Sequence, residues 1–366
     1  MREKATMRTV LLTILLLSGF LLPAHASDTD IWNSVDTSEV EEQASDVLET
    51  ELTPTLDFET ELAKLGKKAL LQLDEILRDA TRSGGLILII SLFCSLLQAA
   101  GEGASSSMNG LTRMVGALTV TAVAVGDVHS LVQTGEETIV QLSEFTKVLM
   151  PALTTAAAAA GSMTGAAARQ MATMIVSNLL LNLMTGLLIP LVYLYITACA
   201  GAEATGNQGV GAIGGFIHWA VKTVLTWLLL LFTAYISISG VISGSADRAA
   251  VKLTRFAVSG MVPVVGGILS DATESVLVGA GLLRNTIGIY GTLAVLAFCI
   301  LPFLRLGVQY LLYKIAAILT AAMTQTSLSK LIGEIGTAFG LVLAMTGTAA
   351  MVALISIITT ISVAVG

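Results

Sequence analysis

The amino-acid sequence predicts an all-α polytopic membrane protein with about eight transmembrane helices, the last six forming two inverted three-span repeats. Three observations lead there. First, of 366 residues 54% are hydrophobic and 12% charged, with a mean hydropathy of +0.83. A soluble domain carries roughly 25% charged residues, so this chain has too little polar surface to face water on all sides. Second, the apolar residues fall in blocks long enough to cross a bilayer, separated by short polar stretches. Third, the prolines come in register. Pro151 and Pro190 are 39 positions apart, Pro263 and Pro302 are also 39 apart, and the second pair follows the first by 112. With six prolines in the chain, two matched pairs point to an internal repeat.

Taken in order, residues 1–26 read as a signal peptide. Arg2, Lys4 and Arg8 precede an apolar core from Val10 to Leu22, and Ala24-His25-Ala26 supplies a small-x-small cleavage pattern. Cleavage would place the mature N-terminus outside the cytoplasm. Residues 27–56 are acidic and poor in large apolar side chains, a composition that predicts a disordered extracytoplasmic segment. Between Ser27 and Arg82 stand 15 of the 26 acids and 5 of the 19 basic residues, so the net charge of −7 belongs to this region and the remainder is slightly basic.

Residues 57–83 predict an amphipathic extracytoplasmic helix, with Leu62, Leu65, Leu73 and Ile76 along one face. That face suits the outer leaflet, a docked partner or the protein's own bundle. Residues 84–147 hold the first two spans, Gly85–Ala100 and Leu111–Val125, followed by an acidic helix over Asp127–Lys147 expected on the outer side. Residues 148–255 and 256–366 are the two repeats. Each has a small-residue segment after its first proline, a long apolar segment (Met171–Ala198; Arg284–Leu306) and a closing span (Trp219–Ile242; Leu331–Val365). Tyr310–Ala322 is the awkward piece, expected as a re-entrant or interfacial segment.

Arg248, Lys252 and Arg255 against one acid, Asp247, make the stretch between the repeats the most positive short loop of the mature chain. The positive-inside rule puts it in the cytoplasm. Three further features are candidates for special roles. Prolines inside membrane helices free backbone carbonyls, so Pro151, Pro190, Pro263 and Pro302 are candidate helix breaks or hinges. Gly161 and Gly165 form a Gly-x-x-x-Gly pattern that lets helices approach closely. Asn178, Asn182, Thr185, Asn285 and Thr286 are the polar candidates for a transport path.

Covalent chemistry finds no support. His129 and His218 stand alone, and Cys94, Cys199 and Cys299 are far apart in apolar stretches, so neither a metal site nor a cofactor is expected. Glycine-rich stretches lack the Lys-Ser/Thr ending of a phosphate loop, and no basic run suggests nucleic acid. The expected partners are the lipid bilayer and other proteins, with self-association open.

The stretch Ser245-Ala-Asp-Arg-Ala-Ala-Val-Lys-Leu-Thr-Arg-Phe-Ala-Val-Ser-Gly-Met-Val-Pro-Val-Val-Gly-Gly-Ile-Leu-Ser-Asp-Ala-Thr-Glu-Ser-Val276 resembles the stage III sporulation protein AE family. The resemblance implies a role in endospore formation, in the mother-cell (outer forespore) membrane. It implies membership of a channel or secretion-like complex linking mother cell and forespore, with other stage III sporulation A proteins and, directly or indirectly, stage II sporulation protein Q. That complex supports forespore development and late forespore sigma-factor activity. From the residues alone, a secondary transporter built on inverted repeats is the alternative.

Overall fold

Asp57 opens the first long helix. Its carboxylate accepts from the backbone N–H of Thr60, three residues on, the position an N-cap serves. The Thr60 hydroxyl and amide together hold that carboxyl below the usual aspartate range. The computed structural model describes residues 35–53, 56–100, 106–159, 166–261, 266–323 and 327–362. The expected signal peptide, Gly161, Gly165 and Pro263 lie outside the described residues, as do the side chains of Arg248, Lys252 and Arg255.

The described elements are helices: α1 (Ser38–Ala44), α2 (Phe58–Ala100), α3 (Ser106–Ala159), α4 (Ala166–Leu183), a π-turn (Met184–Leu188), α5 (Ile189–Thr205), α6 (Gln208–Met261), α7 (Gly266–Met323) and α8 (Ser327–Ser362). Among the described residues, six helices are long and apolar enough to cross a membrane. The chain is thus an all-helical, multi-pass membrane protein. The pairing contacts fix how the helices run. Ser83 meets Asp127 while Cys94 meets Gly116, so α2 and α3 are antiparallel. Ser143 meets Asn178, and Tyr195 stacks on His218 where Gly214 meets Cys199, so α4–α5 returns and α6 descends again. Tyr310 lies against Gly340 and Phe303 against Gly347, which makes α7 and α8 antiparallel. The result is an up-and-down bundle of six long rods.

Two expectations change here. The first is how far single helices extend. Leu111–Val125, Asp127–Lys147 and the first residues after Pro151 are one continuous helix of 54 residues, α3. No proline interrupts residues 126–147, and the apolar residues Val132, Ile139, Leu142 and Phe145 are buried while Glu137, Glu144 and Lys147 are exposed. Charge at helical spacing makes a face and does not end a helix. Likewise Arg284–Leu306 and Tyr310–Ala322 belong to one helix of 58 residues, α7. Among the described residues six helices are candidate spans, and the small-residue segments expected to open each repeat, 152–165 and 264–281, lie partly outside those residues.

The second is the inversion. Tyr195 with Glu334 and Ser177 with Ser356 set α4–α5 antiparallel to α8, and α7 is antiparallel to α8 as well. The long apolar segments after Pro151 and Pro263 therefore run in the same direction, not in opposite ones. Alternation also brings the start of α2 and the end of α6 to the same end of the bundle. The acidic and cationic segments, expected on opposite sides of the membrane, share one end.

The acidic segment is ordered over part of its length. Val35, Val40, Ala44, Leu48 and Leu52 are buried in the main core, at spacings of four and five that hide one face from water. Thr50 donates to Glu61 at 2.6 Å and Lys68 pairs with Glu49 at 3.1 Å, tying this arm to the first turns of α2.

Glycines set the closest helix approaches. A Cβ at Gly135 would lie 2.2 Å from Val342 Cγ1, and one at Gly288 would lie 2.0 Å from Ile361 Cδ1. Small residues at crossings let membrane helices pack on backbone rather than side chain.

Candidate functional site

A polar layer crosses the bundle and draws a side chain from each of the six rods. Asp127, on α3, is its first centre. Its carboxylate accepts from Ser83 of α2 at 3.0 Å, from Gln309 of α7 at 2.9 Å and from Tyr313 of α7 at 2.9 Å. Gln309 and Tyr313 are buried and Asp127 is half-buried. Three donors converging on one carboxylate stand in for the water it has lost.

One residue further along α7, Lys314 reaches to the opposite neighbour. Its ammonium donates to the Gly333 carbonyl at 2.8 Å and to the Thr337 hydroxyl at 2.7 Å, both on α8. The next turn is closed by Glu334 of α8, which accepts from the Tyr195 hydroxyl of α5. The Tyr195 ring stacks on His218 of α6 with centroids 5.8 Å apart. Tyr313 packs edge-on against Phe339, which keeps the two halves of the layer rigid with respect to each other.

The layer thus holds two carboxylates and one ammonium, each partnered by neutral groups. The described ion pairs, Lys64–Glu61 and Lys68–Glu49, lie elsewhere, in the first turns of α2 and the arm on it. At membrane depth such an arrangement is expensive, which makes this layer the candidate site.

The candidates from sequence are placed as follows. Pro151 and Pro302 sit inside α3 and α7 without ending them. Pro190 stands at the start of α5, directly after the π-turn. A proline cannot donate to the carbonyl four residues back, here Gly186, and the widened turn accommodates the lost bond. Asn178 accepts from Ser143 at 3.3 Å, Asn182 and Asn285 are exposed, and Thr185 and Thr286 bond their own helix backbone. These polar residues do not meet in one site.

The apolar face of residues 57–83 divides. Leu65 and Ile76 are buried, Leu73 is half-buried and Leu62 is exposed. Most of the stripe packs on the protein's own bundle, because α2 is continuous with a span and its apolar face meets its neighbours first. Exposed on that stretch instead are Leu70, Leu71 and Leu77.

Sequence reasoning missed Asp127 and Glu334. Both stand in helices, one acid amid apolar neighbours, and only the pairing of helices far apart in sequence discloses their partners. Lys314 was visible as a lone cation in an apolar segment.

One further contact belongs to the hairpin end of the bundle. Gly206, the C-cap of α5, has φ +68, and the Arg113 guanidinium lies where its Cβ would be, with Nη2 1.9 Å from that point. The cation on α3 thereby covers the carbonyl end of α5, where a positive charge is favoured.

A family model, "Stage III sporulation protein AE", matches residues 50–365. A relative of that name from Bacillus subtilis (strain 168) is 21% identical over 234 residues, covering 64% of this chain and 59% of the relative. The match thus spans under two thirds of that protein's length. No solved structure matches. The extent of the family match, running from the arm before α2 to the end of α8, shows that the chain belongs to the stage III sporulation protein AE family.

Proposed function

We propose that this protein is a non-enzymatic integral membrane subunit of the mother cell-to-forespore channel or secretion-like complex, resident in the mother-cell (outer forespore) membrane. In that reading it supports endospore development and late forespore sigma-factor activity. Its partners are other stage III sporulation A proteins and, directly or through them, stage II sporulation protein Q. The observation that carries the reading is the family match over residues 50–365, on a chain with six helices fit to cross a membrane. The test is affinity purification of the tagged full-length chain from sporulating cells, in mild detergent. Recovery of other stage III sporulation A proteins supports the reading, and their absence from a preparation at normal membrane abundance counts against it.

A permease is the second reading, and the polar layer favours it. Charged side chains at membrane depth line ion and substrate paths in many carriers. The inverted-repeat argument no longer supports it, since the matched segments run the same way. An Asp127→Asn variant separates the two readings when its membrane abundance matches the parent's, since the same change weakens the fastening of α3 to α2 and α7. Intact co-purification with loss of spore development supports a conducting role, whereas normal spore development supports a subunit that conducts nothing.

A further inference from the structure

Helices α3 and α8 pack side by side, yet only α8 suits lipid along the length they share. Helix α8 carries no charged residue after Glu334. Its uncharged stretch, 335–362, is about 40 Å long at a rise of 1.5 Å per residue. A hydrocarbon core of about 30 Å, placed anywhere within that stretch, includes residues 342–355.

Helix α3 is polar at this depth. Gly135 of α3 abuts Val342. Ser356 meets Ser177, and Asn178 beside it lies 3.3 Å from Ser143 of α3. The stretch from Gly135 to Ser143 therefore runs level with 342–355. Glu137, Gln141 and, one turn on, Glu144 are exposed there. The Gln133 amide donates to Glu137 at 2.7 Å. The described ion pairs, Lys64–Glu61 and Lys68–Glu49, include neither Glu137 nor Glu144. Hydrocarbon offers these carboxylates nothing in place of water.

The neighbours of α3 divide in the same way. Running antiparallel from the Ser83–Asp127 contact, α2 brings Lys67, Asp74 and Glu75 to this depth, all exposed. On the other side, no charged residue stands between Arg169 and Glu203. Leu179 of α4, next to Asn178, is 66% exposed. One depth of the bundle thus has a charged flank and an uncharged flank, and a flat bilayer cannot satisfy both.

We propose that the α3 face of Gln133, Glu137, Gln141 and Glu144 is one wall of a water-filled path for hydrophilic solutes through the membrane. Lipid covers Leu179 at the depth where water covers Gln141. Intramembrane charges face water-filled cavities for this reason. The face lies on the outside of one chain and closes a lumen only against further subunits. The inference therefore rests on the reading above that this protein works within an assembly.

The test uses the full-length chain in membranes from sporulating cells, with C94A, C199A and C299A removing the native thiols. Q141C reports on the wall and L179C on the lipid flank at the same depth. A charged, impermeant methanethiosulfonate, which modifies thiols in water, is applied to sealed vesicles of either orientation. Q141C is expected to be modified from both sides and L179C from neither. Modification of L179C, with Q141C or alone, overturns the proposal by putting this part of the bundle in bulk water. Protection of both reporters overturns it by putting protein or lipid over the wall. Modification of Q141C from one side only overturns the path and leaves a closed crevice. Recovery of other stage III sporulation A proteins with the same Q141C chain separates this inference from the reading beneath it: an unreactive Q141C that still co-purifies with them removes the path alone. Should the cysteine-free chain fail to accumulate, both reporters are read as increments over the parent chain's own labelling.

Discussion

Asp127 and Gln309 are 182 positions apart in the chain, and their side chains meet at 2.9 Å in the bundle. With Tyr313 on the same oxygen and Ser83 on the other, this carboxylate fastens α3 to α7 and α2. Replacing it by Asn keeps the shape but turns an amide NH2 toward donors. Hydrogen bonds to a charged group are worth roughly 1.5–3 kcal/mol each, so Asp127→Asn is expected to destabilise the bundle by about 2–4 kcal/mol. Thermal unfolding in detergent checks this, and an unchanged midpoint would falsify the fastening role.

Gly206 meets two demands at once. Its φ of +68 is costly for a residue with a Cβ, and the Arg113 guanidinium occupies the Cβ position. Gly206→Ala is expected to cost at least about 1–2 kcal/mol for the left-handed backbone alone, plus the displacement of Arg113. In an Arg113→Ala background only the backbone cost persists. A double-mutant cycle measures the difference, and strict additivity of the two changes would show that the residues do not touch.

Gly135 faces the stiff side chain of Val342 at 2.2 Å from its would-be Cβ. Gly135→Ala is expected to overpack the α3–α8 crossing by about 1–3 kcal/mol. Val342→Ala should relieve much of that in the double variant. If Gly135→Ala is as stable as the parent, the helices do not approach as closely as described.

Six alternating rods place the arm before α2 and the end of α6 on the same side of the membrane. Single cysteines at Gln43 and Ala249, each in a background without the three native ones, are expected to share one pattern of labelling by an impermeant thiol reagent in intact cells. Labelling of one and protection of the other would restore the opposite-side arrangement argued from the leader and the cations. Shared labelling also places Arg248, Lys252 and Arg255 outside the cytoplasm, whereas shared protection places the acidic arm inside.

How much of this was legible in the sequence depends on the range of the forces involved. Helix, membrane residence and the start of α2 at Asp57 rest on local patterns: hydropathy over some twenty residues, apolar spacing at three and four, and a cap that bonds its own third residue. The family resemblance is likewise a property of the string from Ser245 to Val276. The failures share one cause. The acids around Glu136 and Glu144 were expected on a separate outer helix, because what the buried face through Ile139 and Phe145 packs against, Phe298 among it, lies on other helices. The arm from Val35 to Leu52 looked disordered because its few apolar residues find a core that the rest of the chain builds. The stripe with Leu65 and Ile76 was expected as a partner-docking face, and these two side chains are buried within this same chain.

Sequence alone determined what is apolar and what is helical, since those depend on neighbours a few residues away. Tertiary structure decided how far each helix extends, which way each half runs, and which acids share a layer with which donors. Those depend on pairings such as Asp127 with Tyr313 and Tyr195 with Glu334. Helices that far apart in sequence choose each other by packing and by the cost of leaving a charge unpartnered at membrane depth, and no local pattern records that choice.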